Sequence, residues 1–199
     1  MQVEFCNEQV ALLPSGGCYL PDHGALVVSD LHLGKGVLLQ DGGVPLTDDF
    51  DAPTMAKLVA DIDALAPTRC VITGDLFHAN SRSMGGYADQ INEWLGSLPT
   101  QVILTIGNHD DARLLQSLTH VSCTERVRLG GVVCQHEPHD DLGVPCIVGH
   151  IHPGVKVKKG RITKMKKAFA MNRSTLICPA YGHSTGMVAM GPEWDCVTI

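Results

Sequence analysis

Aspartate, histidine and asparagine recur in this chain directly after short apolar runs. Asp30-Leu31-His32 follows the run 25–28, Gly74-Asp75-Leu76-Phe77-His78 follows 70–73, and Gly107-Asn108-His109-Asp110 follows 102–106. Further on, His136 closes the run 132–135, and Gly149-His150-Ile151-His152 follows 146–148. Carboxylate and imidazole donors in one set suit Mn, Fe, Zn or Co, whereas an all-oxygen set would suit Mg or Ca. Two divalent cations about 3.5–4 Å apart repel, so they need a bridging carboxylate and hydroxide, while neutral imidazoles fill other positions without excess charge. Core packing asks for none of these residues at successive run ends, and burying them without partners is costly. The x, x+2 spacing on extended chain predicts that Asp30 points with His32, and His150 with His152, as paired ligands. Glycines at 74, 107 and 149 are expected to leave room where the backbone turns beneath the metals.

Five strand ends must deliver these side chains to one edge. The runs 25–28, 70–73 and 102–106 are rich in β-branched residues and stop at Asp, Gly or Asn, which predicts buried strands ending in loops. Between them, 53–65 places Met55, Leu58, Val59, Ile62 and Leu65 on one helical face, and 87–98 repeats the pattern more weakly. Alternating strand and helix implies a helix-covered sheet with ligands at the strand ends. From Val121 onward helical periodicity fades. Short runs separated by Gly and Pro (126–129, 132–135, 146–148, 155–157, 162–165, 175–178 and 187–190) predict a second sheet.

No repeat, low-complexity tract or long linker interrupts the chain, so one domain over residues 1–199 is expected. No apolar stretch is long enough to cross a membrane, and the first residues lack the pattern of a secretory signal. The expected location is the cytoplasm, with the eight cysteines as mostly buried free thiols that show no Cys-x-x-Cys pair. Net charge is −6, yet seven of the fifteen Lys and Arg residues fall between Lys156 and Lys167. Binding of a nucleic acid over a broad face is therefore unexpected, and any contact must be local.

The ordered set D-x-H, G-D, G-N-H-[DE], H and G-H-x-H over residues 30–152 resembles the calcineurin-like metallophosphoesterases. The resemblance implies a four-layer α/β/β/α sandwich, two mixed sheets flanked by helices, and two divalent metal ions, with Mn²⁺ foremost and Fe, Zn or Co as other choices. It implies that Asp30, His32 and His152 hold one metal, that Asn108, His136 and His150 hold the other, and that Asp75 bridges them. His109 would stabilise charge on the phosphate or protonate the leaving oxygen, with Asp110 orienting it. His78 matches a histidine that faces the phosphate in the DNA-repair nuclease branch. Relatives that became interaction modules lose ligands or the catalytic histidine; here all of them remain. His23, His120, His139 and His183 read as structural or exposed, although His139 and His183 stand where an approach to the site is open. Lys35 reads equally as a phosphate contact or a solvated lysine.

A narrower resemblance rests on Ser29-Asp30-Leu31-His32-Leu33-Gly34-Lys35, Gly43-Val44-Pro45, Gly149-His150-Ile151-His152-Pro153 and Leu176-Ile177-Cys178-Pro179-Ala180-Tyr181-Gly182. These are similar to the ligase-associated DNA damage response phosphoesterases or endonucleases. The chain departs from that branch at Ser184-Thr185-Gly186-Met187, where a Thr-Gly-Gly-like turn is usual. The branch implies a phosphodiesterase acting on DNA or RNA ends, in the company of a DNA ligase and a helicase. The alternative is a phosphatase or phosphodiesterase with a small phosphorylated substrate or nucleotide. The basic stretch 155–167 predicts a hairpin turning near Lys159-Gly160 with its charges on one face, either gripping a nucleic-acid backbone or protecting a solvated edge.

Overall fold

The computed structural model describes residues 1–47, 49–78, 84, 86–138 and 143–199. The first sheet holds, in spatial order, β1 (Gln2–Phe5), β2 (Glu8–Leu12), β3 (Cys18–Leu20), β4 (Ala25–Val28), β5 (Arg69–Thr73), β6 (Gln101–Thr105) and β7 (Val121–Thr124). The strands from β1 to β4 pair antiparallel; those from β4 to β7 pair parallel. The named α-helices lie in the chain between β4 and β7: α1 (Lys35–Asp41), α2 (Ala52–Leu65), α3 (Tyr87–Ser97) and α4 (Ala112–Ser117).

Alternation along each strand decides what covers which face. Leu26, Val28, Cys70, Ile72, Val102 and Leu104 pack with Leu58 and Ile62 of α2 and Ile91 and Leu95 of α3. Ala25, Val27 and Val71 point the other way, into a cluster with Ile147, Phe169 and Leu176 of the second sheet. Both faces of β4 are therefore covered, and all four of its residues are buried. Burial of each large side chain such as Leu58 or Ile62 contributes about 1.5–3 kcal/mol. Helix α2 carries a proline in its first turn and ends at Ala66, whose φ of 45° lies in the left-handed region just before Pro67.

The second sheet comprises β8 (Val127–Leu129), β9 (Val132–Cys134), β10 (Cys146–Val148), β11 (Pro153–Lys159), β12 (Ile162–Met171), β13 (Thr175–Ile177) and β14 (Val188–Ala189). Its order is β14-β11-β12-β13-β10-β9-β8, with β15 (Asp195–Thr198) paired to β12. Two mixed sheets with helices form the expected α/β fold. On the far side of the second sheet, Cys146, Val148, Ala170 and Ile177 are met among the described residues by Ile151, Met190, Trp194 and Cys196 rather than by a helix.

The hairpin forms, with Lys159 opposite Ile162. Its charges are not on one face, contrary to the expectation. Directly opposed residues share a face, so the register puts Lys156 and Lys158 with Met165 and Thr163 on one side. Val157, Lys159, Ile162, Lys164 and Lys166 occupy the other. The sequence interleaves lysines at both parities, and a period of two then has to divide them. All eight cysteines are free, five of them buried. Among the described residues no helix is long and apolar enough to cross a membrane.

Candidate metal centre

The loops leaving β4 and β5 run side by side. Asp30 N–H donates to Gly74 O at 3.2 Å, His32 N–H to Asp75 O at 3.0 Å, Leu33 N–H to Leu76 O at 2.9 Å, and His78 N–H to Leu33 O at 2.9 Å. Leu31, Leu33, Leu76 and Phe77 sink into the helix-side core. Anchored that way, the loops leave Asp30, His32 and Asp75 to the site. The backbone here is not extended, which overturns the reason given for the x, x+2 pairs. Asp30, His32, Asp75, His150 and His152 all have φ between 49° and 65°. Left-handed backbone at a non-glycine residue costs roughly 1–3 kcal/mol, and such strain gathers where function fixes a side chain.

Six donors form two triads, each with its ligand atoms within 4.8 Å of one another: Asp30, His32 and His152, and Asp75, His136 and His150. In the first, His152 Nε2 lies 3.1 Å from Asp30 Oδ1 and 3.2 Å from His32 Nε2. In the second, His136 Nε2 lies 3.4 Å from Asp75 Oδ1 and 3.1 Å from His150 Nδ1. Asn108 Oδ1 stands 2.9 Å from both of those ring nitrogens and so completes the second set. Asp75 faces both triads, because its Oδ2 is 3.8 Å from His32 Nε2. The histidines 150 and 152 divide between the triads.

Three glycines make this convergence possible. A Cβ on Gly74 would overlap the His136 ring, one on Gly107 the Asp75 carboxylate, and one on Gly149 both Ser29 Oγ and Asp30 Oδ2. Burial tends to raise the Asp30 carboxyl, but His152, Ser29 and His136 outweigh it and hold the group below the usual carboxylate range. Burial drives the His32 imidazole down to about 3, so its ring is neutral at physiological pH. Burial raises the Asp75 carboxyl, against the pull of His136 and the His109 amide. Close-set carboxylate oxygens, a carboxamide oxygen and imidazole nitrogens, one of them held neutral, are the donor set that two transition-metal cations require. The residues fit the expected pair.

The His109 ring meets His32 edge-on at 5.3 Å between centroids and stacks on His78 at 5.4 Å, while its backbone N–H donates to Asp75 Oδ1 at 2.9 Å. His78 Nδ1 lies 3.1 Å from His32 Nδ1. Burial, followed by the charge of Lys35, lowers the His78 imidazole below its usual range. Asp110, expected to orient His109, is engaged elsewhere. Its carboxylate accepts from the backbone N–H groups of Gly107 at 2.9 Å, Asp75 at 3.0 Å and Phe77 at 3.2 Å. It ties the loop after β6 to the loop after β5.

The other described histidines have partners outside the triads. His23 pairs with Glu8 at 2.7 Å, and a Cβ on Gly96 would strike the His120 ring. His183 Nδ1 lies 3.1 Å from Thr54 Oγ1 and its ring packs on Phe50. His139 lies outside the described residues. Lys35 Nζ donates to Ser184 O, so it is neither a free phosphate contact nor a fully solvated lysine. Two supports escaped sequence reasoning. Ser29 Oγ donates to Asp30 Oδ2, and the segment 180–182 donates from Tyr181 N–H to Ser29 O at 2.7 Å and from Gly182 N–H to Asp30 O at 3.0 Å. Lys167 Nζ in turn grips Ala180 O at 2.6 Å. Serine beside the first candidate ligand and the late Pro-Ala-Tyr-Gly run were the visible signals.

Comparison with known proteins agrees with the geometry. The family model for calcineurin-like phosphoesterase matches residues 25–174, a span that contains every candidate ligand. No curated protein matches the chain. The solved structure of Pseudomonas putida nuclease MPE superposes with a TM-score of 0.80 at 26% identity, covering 96% of this chain and 92% of that one. Yfce, a phosphoesterase from E. coli, aligns with a TM-score of 0.46 at 19% identity, over 81% of this chain and 83% of its own. The chain belongs to the calcineurin-like phosphoesterases, and is a metal-dependent hydrolase of phosphate esters.

Proposed function

We propose that this hydrolase cuts phosphodiester bonds in nucleic acid, at DNA or RNA ends, with Mn²⁺ as the working metal. The observation that carries the substrate class is the placement of the basic hairpin. Strand β11 begins at Pro153, the residue after His152, and Lys156, Lys158, Lys159, Lys164 and Lys166 on the hairpin are all exposed. A local cluster of cations beside the site suits a polyanionic strand in an otherwise acidic protein. Likeness to a nuclease over 96% of the chain supports the same reading.

In this reading Asp30, His32 and His152 hold one cation, Asn108, His136 and His150 hold the other, and Asp75 reaches both. Two cations held there would supply a water acidified toward neutrality and would offset charge on the phosphate. The chain's own residues do the rest. His109, exposed beside the first triad, donates a proton to the leaving oxygen. His78, stacked on it, hydrogen-bonds a phosphate oxygen. Asp110 keeps the loops of Asp75 and Asn108 in register through its three backbone N–H partners.

The test is a substrate screen with Mn²⁺: bis-p-nitrophenyl phosphate, p-nitrophenyl phosphate, and end-labelled single-stranded, duplex and nicked DNA and RNA. Cleavage of the diester and of a nucleic acid, lost with a chelator and restored by Mn²⁺, is expected. Turnover of aryl esters with every nucleic acid left intact would overturn the proposal in favour of a small phosphorylated substrate.

A further inference from the structure

Beside the second triad the surface opens into a cleft of about 410 Å³, within the usual range for small-ligand sites. Asn108 and His136 form part of its wall, so the cleft is continuous with the second candidate cation position. His109 and His78 stack together against His32, on the first triad's side. A phosphodiester carries two substituents. If His109 protonates the leaving oxygen, the substituent that stays on phosphorus has the cleft available to it.

The lining states what that substituent is. Ile106 offers an apolar surface, 42% exposed although it stands at the end of a buried strand. Arg126, exposed at the rim, makes no side-chain ion pair among the described residues, which leaves its planar guanidinium free to lie over a ring. Gln135 is only 3% exposed; its Nε2 donates to Glu137 O at 2.8 Å, and its Oε1 has no partner among the described residues. Glu125 and Glu137 add two negative charges against the one positive charge of Arg126. That balance repels a second phosphate and offers acceptors to the N–H groups of a base edge. An apolar floor, a stacking cation and hydrogen-bonding groups of net negative charge together suit an uncharged aromatic heterocycle.

We infer that this cleft is the subsite for the nucleoside retained on the cleaved phosphate. The inference rests on the diesterase reading above and adds to it a base-binding site built from Ile106, Arg126 and Gln135. Base stacking of this kind is worth about tenfold in affinity or more, which is about 1.4 kcal/mol.

Binding can be read without turnover by using phosphonates, whose C–P bond is not hydrolysed. The Mn²⁺-loaded protein is titrated calorimetrically with guanosine phosphonates linked through the 5′ or the 3′ carbon, and with methylphosphonate as the compact control. At least one nucleoside phosphonate should bind about tenfold tighter than the control. Arg126→Ala and Ile106→Ala, both at exposed positions, should erase that advantage while leaving methylphosphonate affinity and the melting temperature unchanged. Equal affinities for nucleoside and control, or variants that weaken both ligands alike, would overturn the subsite. A protein that prefers the nucleoside phosphonate but cleaves no phosphodiester would instead refute the diesterase reading and leave the cleft standing.

Discussion

Asp110→Asn separates two roles that the motif Gly107-Asn108-His109-Asp110 allows. In one, the carboxylate polarises His109; in the other, it fastens two loops. The structure supports the second, with Oδ2 accepting from Gly107 and Asp75 and Oδ1 accepting from Phe77. An asparagine can turn its oxygen toward the first pair, but its NH₂ then faces the Phe77 N–H, donor against donor. A buried donor left unsatisfied costs about 1–3 kcal/mol, and the two surviving bonds weaken from charge-assisted to neutral. Burial, which lifts the Asp110 carboxyl to about 6, returns part of this when the charge is removed. The net expectation is a loss of about 2 kcal/mol of stability. Slack at Asp75 should also weaken Mn²⁺ binding, by about 10–100-fold, the usual effect of disturbing a group that orients a ligand. Denaturant unfolding in chelator at pH 8, Mn²⁺ titration, and kcat on an aryl diester at saturating Mn²⁺ measure the three quantities. At saturation kcat should stay close to that of the unmodified protein. Unchanged stability and Mn²⁺ affinity with kcat reduced about 10²–10⁴-fold would refute the loop-fastening argument and assign Asp110 to the polarisation of His109.

Three further outcomes follow from the same geometry. His109→Ala should lower kcat about 10²–10⁴-fold with both metals retained by elemental analysis, since the contact to Asp75 uses only the backbone N–H of residue 109; loss of metal would make His109 a ligand. Gly149→Ala should cost about 1–3 kcal/mol and empty the first triad, because the added Cβ meets Ser29 Oγ and Asp30 Oδ2; a stable, fully metallated variant would show that the loop after β10 gives way freely. Changing Lys159, Lys164 and Lys166 together to Gln should reduce the salt-dependence slope for single-stranded DNA by about 2, read by fluorescence anisotropy. Changing Lys156 and Lys158 should do less, because only the former face also presents Val157 and Ile162, 36% and 60% exposed, to the bases; the reverse ranking would put the strand on the other side of the hairpin.

Much of the site was legible because chemistry and topology coincide in this chain. Parallel strands buried on both faces read as unbroken apolar runs, so β4, β5 and β6 were recognisable within a residue, and each is followed within three residues by a candidate ligand. The antiparallel strands β1 to β3 were missed for the opposite reason. They are three to five residues long and mix exposed with buried positions, as in Gln2–Phe5, so neither period stands out. Helices α1 and α4, of seven and six residues, are too short to show a periodic face. Strand β12 was read only to residue 165, where lysines dominate; it continues because Phe169 enters the core shared with the first sheet, Ala170 packs on the far side with Cys196, and residues 168–171 pair with β15.

What the sequence could not show is how the candidate ligands are aimed. An x, x+2 pair on extended chain would have pointed Asp30 and His32 the same way, and the same rule would have kept His150 and His152 together. In the folded chain both pairs turn through left-handed backbone, which rotates successive side chains independently of strand alternation. That freedom lets His150 serve the Asp75 triad while His152 serves the Asp30 triad from one short loop. Such backbone is disfavoured at Asp and His, so it persists only where neighbours over-determine it. Here those neighbours are His150 N–H, which donates to Asp30 Oδ2 at 3.0 Å, the paired loops after β4 and β5, and the 180–182 segment fastened by Lys167. The glycines at 74, 107 and 149 complement that geometry, since each removes the side chain that would collide with His136, Asp75 or Asp30 respectively. The motif is thus a record of two demands at once, donor atoms for the cations and empty space behind them, and only the first can be read from residue types.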